Sequence, residues 1–217
     1  MRENSSTYSE KKINNPDIAK NKEIIKPFYF DKNKNKVFVS EKTREHLLAH
    51  PDVIQYLQEA IGKADLSEVE KIFKIEINLG KNIGKSYCIP TEPLRGKTKA
   101  LFAKRKNRLG PSRVVYGQGV DCSSITLLGA RSIYEPDNFV LFTAYIGHLA
   151  DMEPWDINIK DGETMKSAYD FWRTHALVYD PNDKNTSFIE EPQEKTWEQV
   201  MQEMQPIYKK LDEERKK

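Results

Sequence analysis

Lys36-Val37-Phe38-Val39-Ser40-Glu41-Lys42-Thr43-Arg44-Glu45-His46-Leu47-Leu48-Ala49-His50-Pro51 passes from a strand into a capped helix and then to that helix's stop. Val37-Phe38-Val39 is β-rich, and with Pro27-Phe28-Tyr29-Phe30 it predicts two short strands around the polar loop Asp31–Asn35. Ser40 is placed to accept from first-turn amides, and Glu41 suits the positive helix end. His50-Pro51 predicts the stop, since a residue before proline is pushed out of the α region. A second helix is expected over Asp52–Ala64, with Val53, Tyr56, Leu57, Ala60 and Ile61 recurring on one face and Gly62 near its end.

From Val69 the period changes. Val69–Ile77, Ser86–Ile89, Ala100–Ala103, Arg113–Tyr116, Ser124–Leu128 and Asn138–Tyr145 read as strands. The gaps between them are too short for crossover helices, which predicts a largely antiparallel sheet. Two helices are expected to close the chain, over about Glu163–Leu177 and from Thr196 onward, the second with Pro206 as a kink. The expectation is an α+β fold: a largely antiparallel, curved sheet, two amino-terminal helices packed on it and a carboxy-terminal helical extension. Residues 1–25, rich in Asn, Lys, Ser and Glu, are expected to be a flexible arm. Residues 26–157 then form the main domain, and 158–217 the extension packed on it.

The 217 residues, 38% apolar, suffice for one sizeable core. No window approaches the roughly 18 apolar residues of a membrane span, and the first thirty residues lack a secretory signal's apolar stretch, so a cytoplasmic protein without a membrane partner is expected. Cys88 and Cys122 fall in expected strands and read as buried filler. Neither a CxxC motif nor a Cys/His cluster supports a metal site, and no cofactor is expected.

The net charge of +2 hides an asymmetry: residues 151–217 sum to −6, and residues 1–150 to +8. Arg95, Lys97, Lys99, Lys104, Arg105, Lys106, Arg108 and Arg113 crowd one segment without an acid between them. Such a run attracts polyanions; a strand edge protected by lysines has the same composition. Gly80-Lys81-Asn82-Ile83-Gly84-Lys85-Ser86 imitates a phosphate-binding loop but has three residues between its glycines where four are needed, and a strand rather than a helix follows it. His46 and His50 stand four apart on one helix and so share a face, a spacing that suits an acid/base pair or a metal. The glutamate precedes the first histidine, against the order of a zinc-protease helix. Trp155, Trp172 and Trp197 read as fasteners of the terminal helices.

Val39-Ser40, Arg44-x-His46-Leu47-Leu48-x-His50-Pro51, the amphipathic helix that follows and the strands beyond together resemble the small ribonuclease toxins of the barnase, EndoU, colicin E5/D and RelE (BECR) fold, in particular their phage and mobile-element branch. Asn138-Phe139-Val140-Leu141-Phe142-Thr143-Ala144-Tyr145, running into Gly147 and Pro154-Trp155-Asp156, is similar to that group's closing strand. The resemblance spans about residues 36–156. It implies metal-independent RNA cleavage, in which the ribose 2′-hydroxyl attacks the adjacent phosphorus, and RNA and an immunity or antitoxin protein as partners, with delivery into target cells an open option. Carried over residue by residue, it makes His46, His50, Thr143 and Tyr145 the catalytic candidates, with Arg44 as a phosphate contact. Several members of the group lack histidine, so Lys85, Arg105, Arg108, Arg113 and Ser124 stand beside these as candidate substrate contacts. His148 and His175 read as a solvent-facing loop residue and a distal residue. Two alternatives remain: a non-catalytic module that binds RNA or a protein partner through a basic sheet face, and a metal-dependent hydrolase built on His46 and His50.

Overall fold

A computed structural model describes residues 25–48, 50–92, 96–106, 108–183, 186 and 190–215. The fold is α+β, with mostly antiparallel sheets. In chain order the first strands are β1 (Phe28–Phe30), β2 (Lys36–Val39), β3 (Ile72–Asn78), β4 (Gly84–Ser86), β5 (Cys88–Pro90) and β6 (Ala100–Lys104). They are followed by β7 (Pro111–Tyr116), β8 (Val120–Cys122), β9 (Ser124–Arg131), β10 (Phe139–Ile146), β11 (His175–Tyr179) and β12 (Gln193–Lys195). The helices are α1 (Glu41–Leu47), α2 (Pro51–Lys63), α3 (Gly162–Thr174) and α4 (Trp197–Arg215). The described residues divide into two compact units, each made of two stretches: those up to 73 with 127–145, and those of 74–126 with those from 146 onward. Apart from Ile25, the expected amino-terminal arm lies outside the described residues, as does Arg95 of the basic run.

The first unit holds β1, β2, β10 up to Tyr145 and residues 127–131 of β9. Its β1–β2 loop folds around Asp31, which is buried and whose carboxylate accepts from the amides of Asn33 (2.9 Å), Asn35 (2.8 Å) and Leu66 (3.3 Å). The Ser40 hydroxyl caps α1 by accepting from the Thr43 amide at 3.1 Å, as its position before the first turn predicts. The Thr43 hydroxyl in turn donates to the Leu141 carbonyl of β10 at 3.2 Å and fixes the helix to the sheet. Pro51 opens α2, where its missing N–H costs nothing, and Val53, Leu57, Ala60 and Ile61 are buried along one face of that helix.

The second unit holds the sheet β12-β6-β7-β11-β5 and the ribbon β4-β8. Its core gathers Ala100, Phe102, Trp155, Trp172, Trp197, Val200 and Met204, so all three tryptophans fasten helices to the sheet as expected. Both cysteines are free, and burial pushes the Cys88 thiol up to about 12. Among the described residues no helix is long and apolar enough to cross a membrane.

Three details depart from the sequence reading. The strands form two five-stranded sheets and a ribbon rather than one curved sheet. Two pairs, β2 with β10 and β7 with β11, are parallel; these partners lie far apart in the chain, so the short local gaps do not constrain them. The helix expected to reach Leu177 ends at Thr174, and residues 175–179 form a strand between β7 and β5. Val178 and Tyr179 favour that pleated, half-buried setting.

Candidate functional site

The helix α1 and the end of β10 meet in the first unit. Thr43 and Leu47 point inward on α1, which leaves His46 exposed at the rim of the sheet. Its Nε2 lies 3.0 Å from the Thr143 Oγ1 of β10, a hydrogen bond between residues 97 apart in sequence. The four-residue spacing predicts His50 on α1, but α1 ends at Leu47 and His50 is the N-cap of α2. It is nonetheless exposed and stands edge-on to His46 with ring centroids 5.3 Å apart. Burial of part of the His50 ring and repulsion from a protonated His46 hold its pKa below the ordinary imidazole value, against the opposing pull of Asp52. The two rings therefore resist carrying two protons together, as an acid/base pair must.

Tyr145, half-buried, stands two residues beyond Thr143 and so on the same strand face. Arg44 is ion-paired with Glu41 on its own helix, and its charge opposes the burial that raises the Tyr29 hydroxyl. The site within this unit is thus His46, His50 and Thr143, with Arg44 and Tyr145 on the same two elements.

The remaining sequence candidates belong to the second unit and do not form a cluster. Lys85 donates to the Gly119 carbonyl at 3.2 Å and lies 3.9 Å from Asp121. Arg105 pairs with Glu153 at 3.2 Å, and Arg108 with Asp156 at 3.8 Å. Lys99 and Lys104 likewise meet Glu194 and Glu190. The acidic carboxy-terminal stretch therefore supplies partners to the basic run, which is not a bare cationic surface. Arg113 is 5% exposed and donates from Nη1 to the carbonyls of Trp172, Arg173 and His175 at 3.1, 3.2 and 2.7 Å. Ser124 is 1% exposed. Burial takes both out of reach of a bulky polyanion, so the substrate contacts expected of them are not available; each serves the packing of its own unit.

One pair escaped the sequence reading. His148 Nδ1 lies 2.8 Å from Glu76 Oε1, and the Leu149 amide donates to Oε2 at 3.1 Å. Burial alone would raise the Glu76 carboxyl, but the nearby Ser124 hydroxyl and the hydrogen bonds with the Leu149 amide and His148 outweigh it and hold it below the usual range. The partners are 72 residues apart, so no local spacing announced them. His175 stacks on Phe171 at 4.0 Å, a packing role. Among the described residues no group of three or more His, Cys, Asp or Glu is arranged to hold a metal ion. No protein-family model, curated protein or solved structure matches this chain.

Proposed function

We propose that this chain is a metal-independent endoribonuclease of the toxin type, and that the hydrogen-bonded pair His46 and Thr143, with His50 edge-on to His46, carries its chemistry. The observation behind this reading is the 3.0 Å contact between an exposed imidazole and a strand hydroxyl, with a second imidazole beside the first. Internal transfer needs one group to take the 2′-hydroxyl proton and another to give a proton to the departing 5′-oxygen. His50, whose pKa is depressed, is the base: it is neutral at pH 7 and accepts the 2′ proton as the O2′–P bond forms. His46 is the acid, oriented by Thr143, and delivers its proton to O5′ as the P–O5′ bond breaks. Arg44, on the helix of His46, and Tyr145, on the strand of Thr143, are assigned to the charge on the phosphorane, Arg44 leaving its pair with Glu41 to do so.

The reading as a non-catalytic module on a basic face draws less support, because the basic run is matched by acids of its own unit. The products decide. Labelled RNA incubated with the purified protein in EDTA should yield fragments ending in a 2′,3′-cyclic phosphate and beginning with a 5′-hydroxyl. Fragments with 5′-phosphates, or intact RNA, would remove the proposal.

A further inference from the structure

The outer face of the first unit's sheet, opposite its helices, carries a row of rings. In β1 the buried Tyr29 alternates with exposed Phe28 and Phe30; in β2 the buried Val37 and Val39 alternate with half-buried Lys36 and Phe38. In β10 Phe139 and Leu141 are buried, and Val140 and Phe142 lie on the other side. The register sets Phe28 opposite Phe38, Phe38 opposite Val140 and Phe30 opposite Lys36, so these side chains share one face. Phe28 is 39% exposed, Phe30 48% and Phe142 52%. Phe28 lies 5.6 Å from Phe30 and 6.4 Å from Phe38, centroid to centroid. The Lys36 ammonium sits 5.1 Å over the Phe28 ring and 5.3 Å over Phe38.

We propose that this face is a stacking platform for unpaired bases of single-stranded RNA. The idea rests on the ribonuclease reading for the choice of RNA, and it names the form of RNA taken. Aromatic rings reach the π-face of a base only where the base is unpaired, and stacking on them is tolerant of sequence. The charge on the face fits a polyanion. Lys36 supplies the cation, over the Phe28 and Phe38 rings. Of the lysines near it in sequence, Lys26 donates to Gln58 of α2 and Lys32 pairs with Asp65 at 2.7 Å. Asp31, the one acid of the β1–β2 hairpin, turns its carboxylate inward onto backbone amides. A protein surface or acyl chains closing over Phe28 and Phe38 would have to desolvate the Lys36 ammonium between them, whereas a phosphate is its natural counterion. The pairing of β10 with β2 ends at Leu141 and Val39. Phe142 and Thr143 lie just past it, one on each face, where a single strand can turn from the platform toward His46.

The test uses the full chain and a fluorescein-labelled 12-nucleotide RNA, 2′-O-methylated throughout so that internal transfer cannot occur, read by anisotropy. Phe30→Leu and Phe142→Leu, each with an unchanged circular-dichroism melt, should each weaken binding about tenfold, in line with the loss of one stacked base. Lys36→Gln should lower the salt dependence by about one counterion. The matching duplex should bind more weakly and without regard to Phe30. An unchanged Kd in both phenylalanine variants overturns the platform, as does equal sensitivity of the duplex, or ring-dependent binding to 3:1 phosphatidylcholine–phosphatidylserine vesicles in place of RNA. Cleavage of a dinucleotide, too short to span the face, separates the two ideas. If His46→Ala stops that cleavage while the phenylalanine variants bind normally, the platform falls and the nuclease stands. If binding depends on the rings and no cleavage occurs, the nuclease falls and the platform stands.

Discussion

Replacing Thr143 by valine removes one hydroxyl and keeps the β-branched shape that suits a strand. If Thr143 acts only by orienting His46, the loss in rate is the worth of one hydrogen bond. A net value of about 0.5–1.5 kcal/mol for such a bond corresponds to a fall of about two- to thirteenfold. Removing the imidazole itself deletes a proton transfer and should cost about 10²–10⁴. The structure joins the two side chains through the 3.0 Å contact, so their effects should not add: once His46 is alanine, the second change to Thr143→Val should cost nothing more. The assay is single-turnover cleavage of a labelled RNA in EDTA by wild type, His46→Ala, Thr143→Val and the double variant, with Thr143→Ser expected to keep most of the rate. The reasoning is refuted if Thr143→Val alone costs as much as His46→Ala, or if the double variant shows the product of the two single losses.

Three further outcomes follow from the packing and the titration of the same residues. The folded-state pKa of His50 is depressed, so the unfolded chain binds more protons: its contribution to stability is present above about 6.5 and lost as pH falls from there through the lower folded value. Thermal melts between pH 7.5 and 5 should therefore fall less steeply in His50→Gln than in wild type. A Cβ at Gly129 would run into the Phe73 ring and the Val140 carbonyl oxygen, and a backbone atom cannot swing aside; Gly129→Ala should cost about 1–3 kcal/mol, read as a lower urea midpoint. Arg113→Met would leave three carbonyls facing an apolar side chain, each worth about 1–3 kcal/mol when unmet. The loss should be about 3 kcal/mol or more, again by urea titration, with RNA cleavage per folded molecule unchanged.

The local grammar of the amino-terminal region was readable because it rests on neighbours in sequence. Ser40 caps α1, His50-Pro51 separates it from α2, and Val53, Leu57, Ala60 and Ile61 bury one stripe. The closeness of His46 to Thr143 was an expectation drawn from resemblance; spacing alone could not supply it, since the contact depends on β10 lying parallel to β2. Alternation of side chains tells which face of a strand is buried, not which strand lies beside it, and the division into two sheets was hidden for that reason. The basic run misled differently. Charge density along the chain ignores partners brought by folding, and Glu153, Asp156, Glu190 and Glu194 come from more than forty positions downstream of the cations they meet. Phe28, Phe30, Phe38 and Phe142 were read only as strand formers. The signal in them was that large apolar residues occupy both faces of β1 and β2, more than one core can cover.

The most direct test of the proposed chemistry is the rate at which His46→Ala and His50→Ala, each shown to be folded, cleave total RNA in EDTA. The proposed acid and base predict that each falls by about 10² or more. Wild-type rates in both variants would contradict the assignment of this chemistry to His46 and His50.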